Sequence, residues 1–438
     1  MRLKRDKHSD TAQDNLAYIY PMPEESDRQY LTSHPWLTFD FNPQSLGSIA
    51  WAHLGEAYSK CQHLIGTPLQ PGLAMHLSEV FLRRGALASA AIEGNTLSEQ
   101  QVEDIIVRNR PLPESQRYQE QEVRNVVTAL LEVRKEIAES SKFRLSSEWV
   151  LGKHALLLEG LELEEQVTPG EYRTVSVGVG NYRGAPAEDV PYLMERLCVW
   201  INEIIDQAEE SKTLDNRFFL SFFAATLAHI YLAWIHPFGD GNGRTARLIE
   251  AAVLAHSQTV PWVSTTVLSN YYNKTKPRYY QRLEAASRSM DLPGFIAYSA
   301  IGFRDELREQ IAEVQGAQRR VAWINYVHEA FQPEPSTETA KRRRSVVLAL
   351  PPDAELTKRE IKRLTPEIAV IYATASDKLF SRDLTKLRDL RLIREVGRGR
   401  YRSNIRLMDA FVPLPELGVD MPLTVRQEGI EPDSEGRP

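Results

Sequence analysis

The sequence predicts a mainly α-helical protein with one short β-hairpin and a smaller C-terminal module. Apolar residues recur at helical spacing from Gly72 to about residue 332. Inside that stretch, Thr174–Tyr182 alternates with a period of two and contains turn residues, as hairpins do. After a proline-containing run at 332–336, two short helical patterns precede a hairpin that carries Gly397 and Gly399. That order favours a winged helix-turn-helix module.

Changes in composition divide the chain into five parts. We expect an N-terminal region over 1–140, a helical catalytic core over 141–332, a linker over 333–345, a winged-helix module over 346–412 and a flexible tail over 413–438. Predicted helices lie at about 46–64, 73–92, 99–108, 114–139, 190–207, 215–234, 244–256, 278–288, 293–331, 356–364 and 376–390, with another starting after Ser146. Ser98 and Gln101 predict a capping box at the start of the third helix.

Charge and cysteine content limit the class of protein. A net charge of −6 argues against nucleic acid coating the whole chain, although a local basic module remains compatible with it. The two cysteines, Cys61 and Cys198, lie far apart and predict free thiols in a reducing cytoplasm. No apolar segment that would predict a signal peptide follows Met1.

Phe218–Ile235 contains no formally charged residue over eighteen positions, which is close to the length of a membrane span. Ser221, Thr226 and His229 interrupt it, and a glycine-rich loop follows. We therefore predict a buried core helix and no membrane partner.

The segment His236–Arg247, HPFGDGNGRTAR, has the composition of a polyphosphate site with a base beside it. Gly241 and Gly243 allow close approach to the backbone, and a helix beginning there offers unpaired N–H groups to an anion. Arg244 and Arg247 lie three residues apart on one helical face and can meet phosphate oxygens. Asp240 offers an oxygen ligand for Mg²⁺, and His236 has an ordinary pKa suited to general-base work.

This segment resembles the motif of the Fic family, HPFx[DE]GNGRxxR, at every defined position. The resemblance implies a Fic helical core in which His236 deprotonates a target hydroxyl that attacks the α-phosphorus of ATP. It also implies that Phe238 anchors the loop, that Asp240 binds Mg²⁺ and that Asn242 and the glycine amides hold the α-phosphate. The outer phosphates are then assigned to Arg244 and Arg247. The nucleotide-binding residues of the loop are Phe238, Gly239, Asp240, Gly241, Asn242, Gly243, Arg244 and Arg247.

Two further segments resemble the family. The hairpin resembles its flap, which pairs strand to strand with the target, and the flap residues here are Thr174, Val175, Ser176 and Val177. Tyr279 and Tyr280 resemble the segment that lines the adenine pocket, although Ser287 stands where the family often has Asn. The alternative for these tyrosines is ordinary core packing. For His229, the two alternatives are a metal ligand and a buried, hydrogen-bonded side chain.

The segment Ser89–Gly94 resembles the family's inhibitory motif, [ST]xxxE[GN], on a helix over about 72–94. Ser89 and Glu93 share one helical face. The resemblance implies that Glu93 forms an ion pair with Arg247 and so prevents the γ-phosphate from binding there. A solvated Glu before the glycine cap, Gly94, is the alternative.

The C-terminal module is locally basic. Between Ala375 and Asn404, nine Lys and Arg residues stand against four Asp and Glu residues, a local net charge of +5. This charge on a predicted winged helix makes DNA a candidate partner, with protein docking or dimerisation as the alternatives.

Together these features predict a cytoplasmic protein adenylyltransferase. It would transfer AMP from ATP, with Mg²⁺, to a Ser, Thr or Tyr hydroxyl of a protein, including itself. An internal helix would restrain the reaction, and the chain is a candidate homodimer. The alternatives are a hydrolase that removes AMP from a modified protein and a nucleotide-sensing transcription regulator that acts through the winged helix.

Overall fold

The computed structural model describes residues 28–140, 142–179, 182–332 and 337–409. The chain divides into two compact units, Met1–Ile311 and Ala312–Pro438. The predicted tail over 413–438, the first 27 residues and part of the predicted linker therefore lie outside the described residues. The composition placed the boundary at 332, whereas the division between the units falls inside a long helix.

The first unit is helical, as predicted. Its helices are α1 (Tyr30–Ser33), α2 (Ser48–Ile65), α3 (Pro71–Ile92), α4 (Glu99–Ile106), α5 (Arg117–Glu139), α6 (Ser147–Leu157), α7 (Val190–Glu209), α8 (Leu214–Ile235), α9 (Asn242–His256), α10 (Val267–Lys274) and α11 (Lys276–Arg288), followed by α12 (Leu292–Ala330), which continues into the second unit. Strands β1 (Gly178–Val179) and β2 (Tyr182–Arg183) form an antiparallel pair. The sequence missed α1 and α10, because each is too short for a period to be recognised.

Helix α8 is the centre of this unit and packs between α7 and α9. It is long and apolar enough to cross a membrane, with a mean hydropathy of 1.8, yet 83% of the apolar window is buried inside the protein. The structure thus agrees with the prediction of a core helix.

Helix α3 packs against α5, α9 and α10, which brings its C-terminal end beside the beginning of α9. The predicted capping box of α4 is present. The Ser98 hydroxyl accepts a hydrogen bond from the Gln101 amide, and the Gln101 side chain accepts one from the Ser98 amide. This cap fixes the turn that follows α3.

The second unit has its own apolar core and contains α13 (Glu338–Ala349), β3 (Leu356–Thr357), α14 (Lys358–Ile361), α15 (Pro366–Ala373), α16 (Asp377–Asp389), β4 (Ile393–Glu395) and β5 (Arg400–Ser403). The three strands are antiparallel in the order β3-β5-β4. The prediction of a linker over 333–345 was wrong where α13 begins. Thr337 caps that helix, and Ala340, Val346 and Val347 bury one face, a pattern that the neighbouring prolines and charges obscured.

Candidate active site

The motif loop connects two buried helices. Helix α8 ends at Ile235, and His236 leaves it in the left-handed conformation at φ 53°. Helix α9 begins at Asn242, with Gly241 before it at φ 79°, a conformation that favours glycine. The first amides of α9 have no partner inside the helix and face the end of the loop. They are suited to bind an anion.

Two side chains fix the shape of the loop. The Asn242 side chain accepts a hydrogen bond from the Phe238 amide at 2.9 Å and donates one to the Phe238 carbonyl at 2.8 Å. The resemblance assigned Asn242 to the α-phosphate, but here both polar ends of its side chain hold the loop closed. At this end of the loop, backbone amides rather than the Asn242 side chain are therefore available to a phosphate.

Phe238 is buried, as predicted, and stacks on His154 with 3.6 Å between the ring centroids. The Gly170 amide donates to His154 Nδ1 at 3.0 Å, so His154 Nε2 carries the proton that is donated to the Asp240 carbonyl at 2.9 Å. Burial lowers the pKa of His154 to about 4 and keeps this ring neutral. Sequence reasoning missed His154, which lies 82 residues before the motif in an ordinary helical pattern.

His236 is half-buried at the start of the loop, and its Nδ1 lies 3.4 Å from the Ala233 carbonyl. Burial lowers the pKa of His236 to about 4, and the nearby Arg173 acts in the same direction. The imidazole is therefore neutral near pH 7, the form in which a histidine can accept a proton.

Asp240 and Arg244 form an ion pair across the first turn of α9, with 3.0 Å between Oδ2 and Nη2. Arg244 also pairs with Glu122 of α5 at 3.0 Å, and both of these side chains are buried. Asn95, just after α3, donates to Glu122 at 2.9 Å. Burial raises the pKa of Glu122, while Arg244 and Asn95 act to lower it. Glu122 and Asn95 were missed, because neither belongs to a recognisable spacing.

Arg247 contacts the end of α3, where the inhibitory segment was predicted. Its Nη2 donates to Glu93 Oε1 at 2.6 Å and to the Ser89 carbonyl at 2.9 Å, and its Nε donates to Ser89 Oγ at 2.9 Å. The predicted ion pair between Glu93 and Arg247 is thus present. Gly94 follows at φ 109° and ends the helix.

The Glu93 carboxylate also lies against Gly243. A Cβ atom added to Gly243 would stand 2.2 Å from Glu93 Oε1 and 2.9 Å from Arg247 Nη1. The carboxylate therefore occupies space beside the first turn of α9, where the unpaired amides would meet an anion.

The two predicted adenine-side tyrosines differ in their surroundings. Tyr279 is buried, and its hydroxyl lies 2.8 Å from His229 Nε2. His229 Nδ1 lies 3.2 Å from Glu250, so this histidine belongs to a buried polar network rather than to a metal site. Tyr280 is exposed, and its hydroxyl donates to the Ile92 carbonyl at 3.3 Å. Of these two tyrosines, Tyr280 is therefore the one accessible to a ligand beside the end of α3.

The four predicted flap residues precede β1. Thr174, Val175 and Ser176 are exposed, and the Val177 carbonyl accepts a hydrogen bond from Gly184 that extends the hairpin. On the other side, His34 Nε2 lies 2.9 Å from the Arg183 carbonyl. The outer edge of β2 is thus in contact with the N-terminal segment.

Arg173, at the base of the hairpin, was missed by sequence reasoning. It is 4% exposed, and its guanidinium donates to the His236 carbonyl at 2.7 Å. A buried arginine that bonds backbone carbonyls leaves no pattern in a sequence.

Asp240 is the acidic residue of the motif loop that could hold a metal ion. Among the described residues, no group of three or more His, Cys, Asp or Glu side chains is arranged to hold a metal ion. The Asp240 side chain is 44% exposed and offers oxygen donors. Such a single carboxylate fits Mg²⁺, which is usually held by one or two carboxylates together with substrate phosphates and water.

Comparison with protein families shows which class of protein the segment around the site resembles. Residues 144–254 match the model of the Fic/DOC family. The helical fold agrees with this match. A Fic family protein from Desulfovibrio desulfuricans G20 superimposes with a TM-score of 0.50 and 22% identity, over 83% of this chain and 98% of that one. A fragment of Fic-1 from Caenorhabditis elegans gives a TM-score of 0.50 and 23% identity, over 62% of this chain and 74% of that one.

The curated relatives that the chain resembles are named for one activity. The chain is 29% identical over 212 residues to "Protein adenylyltransferase fic-1" of Caenorhabditis elegans, which covers 48% of this chain and 38% of that protein. It is 26% identical over 232 residues to "Protein adenylyltransferase Fic" of Culex quinquefasciatus, which covers 53% of this chain and 42% of that protein. The match thus spans less than half the length of these relatives.

Proposed function

We propose that this chain is a protein adenylyltransferase that transfers AMP from ATP to a hydroxyl of a protein, and that α3 restrains it. The observation that carries the proposal is a neutral His236 beside the open N-terminus of α9, within a segment that matches the Fic/DOC family. The adenylyltransferase names of the relatives support the choice of group transferred.

We infer the steps of AMP transfer from the positions of the residues in the site. His236 takes the proton from the target hydroxyl, whose oxygen forms a bond to the α-phosphorus of ATP while the bond to pyrophosphate breaks. The first amides of α9 hold phosphate oxygens, and Arg247, once released from Glu93, is available to the outer phosphates. Asp240 would hold Mg²⁺, which neutralises phosphate charge when bound. The hydroxyl is that of a Ser, Thr or Tyr, including residues of this chain.

Target binding is assigned to the open side of the hairpin. The outer edge of β2 is in contact with His34, whereas Thr174–Ser176, leading into β1, are exposed. An extended target segment can pair with that edge through main-chain hydrogen bonds. The free, buried thiols of Cys61 and Cys198 support a cytoplasmic setting.

Restraint follows from the position of Glu93. Its carboxylate pairs with Arg247 and lies against Gly243, so it competes with the phosphates of ATP for both groups. We expect Glu93→Gly to raise the rate of AMP transfer, because glycine is tolerated at a helix end and removes the competing charge.

The test is label transfer from α-labelled ATP with Mg²⁺ to protein. Glu93→Gly should incorporate more label than wild type, and the double variant Glu93→Gly, His236→Ala should lose about 10²–10⁴-fold of that rate. Ser140→Gly, at the exposed end of α5, controls for added backbone freedom. Equal labelling of wild type and Glu93→Gly would contradict the restraint, and labelling that survives His236→Ala would contradict the base.

The reverse reaction is a second candidate, favoured by the 33% exposure of the Glu93 side chain beside the anion site. Such a carboxylate can activate water to release AMP. Wild-type protein added to label-bearing Glu93→Gly protein should then remove the label, and the Glu93→Gln variant should not. Label that stays in place with wild type excludes this activity.

DNA binding is proposed for the second unit, whose strand and helix order we interpret as a winged helix. The exposed face of α16 carries Lys378, Arg382 and Lys386 at intervals of four residues, and none of them forms an ion pair within the part of the chain that the structure describes. A helix face with this charge fits the phosphates and bases of a major groove.

Fluorescence anisotropy with labelled duplex DNA at several salt concentrations tests this. Replacing Lys378, Arg382 and Lys386 with Gln should weaken binding and reduce the salt slope by up to about 3, since each phosphate contact contributes about 0.9. Replacing three exposed lysines of the first unit, Lys135, Lys142 and Lys212, removes the same charge and should change neither. Equal effects of the two triple variants would contradict a site on α16.

A further inference from the structure

Arg173 joins two parts of the first unit that the proposed reaction must hold together. Its guanidinium donates to four backbone carbonyls, those of Val175, Ala185, Ile235 and His236. Val175 and Ala185 stand on either side of the hairpin, while Ile235 and His236 stand at the end of α8. The bonds to Val175 and His236 are each 2.7 Å long.

Two backbone hydrogen bonds also join the base of the hairpin to the end of α8, a contact region that we call the junction. The Arg173 amide donates to the Pro237 carbonyl at 3.0 Å, and the Ala185 amide donates to the Ile235 carbonyl at 3.2 Å. The carbonyls of three consecutive residues, Ile235, His236 and Pro237, are therefore all tied to the base of the hairpin. His236 itself lies in the left-handed conformation, which costs energy for a non-glycine residue and must be held by its surroundings.

The chemistry of this contact requires arginine. Arg173 is 4% exposed, and no ion pair with a carboxylate is found for it among residues 28–140, 142–179, 182–332 and 337–409. Carbonyl oxygens solvate the charge directly, and the planar guanidinium offers five N–H donors in a fixed arrangement. A lysine has three donors on one nitrogen and cannot reach four carbonyls from two segments at once.

Gly184 permits this close approach. A Cβ atom at Gly184 would stand 2.9 Å from Arg173 Nη2 and 2.9 Å from His236 Cβ. The hairpin, Arg173 and His236 are thus in direct contact with no room for another carbon atom between them.

We propose that Arg173 is a positioning residue that makes the hairpin and His236 one rigid body. A target strand held by the hairpin is then delivered with its hydroxyl at a fixed distance from the His236 imidazole. This rests on the proposed adenylyltransferase function, in which the hairpin holds the target and His236 is the base. Arg173 does not touch the reacting atoms. Its effect should therefore fall on kcat for AMP transfer and leave ATP binding nearly unchanged.

The experiment compares Arg173→Lys with Arg183→Lys, both in the Glu93→Gly background. Arg183 lies in β2, whose outer edge contacts His34 and is not the edge assigned to the target, and its side chain is exposed, so its replacement is a matched control. Arg173→Lys should lower kcat for label transfer about 10²-fold, since misplacement by about 1 Å has that effect, while KM for ATP and calorimetric ATP affinity change less than about 3-fold. Arg183→Lys should change none of these values.

Amide hydrogen exchange supplies a readout that does not depend on activity. Arg173→Lys should speed exchange of the Gly184 and Ala185 amides at least about 10-fold, with no change in α7, because local opening at the junction becomes easier. Gly184→Ala places a methyl group between the hairpin and Arg173 and disrupts the same contact. It should also speed exchange of the Gly184 and Ala185 region and leave α7 unchanged, which tests the proposal even if Arg173→Lys does not fold.

The outcomes separate this proposal from the proposed function. No label transfer by Glu93→Gly itself would contradict the adenylyltransferase function, and the exchange measurement would still test the junction. Unchanged exchange or unchanged kcat in Arg173→Lys would overturn the positioning role. A loss of ATP affinity equal to the loss of kcat would overturn it as well, since it would show a general structural role.

Discussion

At the scale of single residues, the loop is shaped by side chains that are distant in sequence. His154 supports Phe238 from α6, and Arg173 holds the carbonyl of His236. Both polar atoms of the Asn242 side chain form hydrogen bonds with the backbone of Phe238. At the start of α9, the groups that remain available to an anion are consequently backbone amides, which carry no formal charge.

The pH dependence of the reaction tests the state of His236. Burial lowers its pKa to about 4, so the neutral base persists below the ordinary value of 6.5. Protonation removes the base, and the rate must fall as the pH drops through the pKa of the folded protein. We expect kcat/KM for ATP in the Glu93→Gly variant to stay nearly constant from pH 8 to about pH 5.5. A midpoint of the acid limb near pH 6.5 would contradict this environment.

At the scale of elements, the end of α3 is tied to α9 by two separate connections. Glu93 contacts Arg247 directly, whereas Asn95 reaches Arg244 through Glu122 of α5. Release of Arg247 by movement of the Glu93 side chain therefore leaves the connection through Asn95 and Glu122 to Arg244 in place. The first connection is an exchangeable contact with an exposed carboxylate, and the second is a buried link.

Stability measurements distinguish the two kinds of carboxylate on α5. Glu122→Ala leaves Arg244 buried with Asp240 as its remaining partner and should lower the free energy of unfolding by about 1–3 kcal/mol. Glu132→Ala, whose carboxylate is half-exposed beside Lys153, should cost less than about 1 kcal/mol. Urea unfolding of both variants at pH 7 provides the comparison. Equal losses would contradict a buried link through Glu122.

At the scale of the whole molecule, two compact units carry separate apolar cores. A ligand stabilises only the unit that binds it. In Glu93→Gly, we expect calorimetry to resolve two unfolding transitions, of which ATP with Mg²⁺ raises the midpoint of one. A shift of both midpoints by the same amount would show that the chain unfolds as one cooperative body.

Most of the long helices could be predicted from the sequence. Long helices bury a regular apolar face, so their period and ends could be recognised, as at α8 and at the Ser98 cap. The motif from His236 to Arg247 could be recognised because it is contiguous. Glu93 and Arg247 are 154 residues apart, and their pair was predicted only from the resemblance of Ser89–Gly94 to the inhibitory motif of the Fic family.

The rest depended on contacts between distant residues. His154, Arg173 and Glu122 act through tertiary geometry that no local pattern encodes. Helix α13 was missed because prolines before it and charges within it are typical of linkers, although Thr337 caps it. The bonding of Asn242 to Phe238 depends on the path of the loop, which the sequence leaves open.

The contact between Glu93 and Gly243 affects how related chains can be interpreted. Under the proposed function, glycine at 243 meets two requirements: room for a nucleotide against the backbone, and room for the Glu93 carboxylate that lies there. A descendant that lost Glu93 would retain the first requirement, and one that had ceased to bind ATP would retain the second. A glycine at this position in a related chain is therefore not enough to indicate an active enzyme. The residue at position 93 has to be considered together with it.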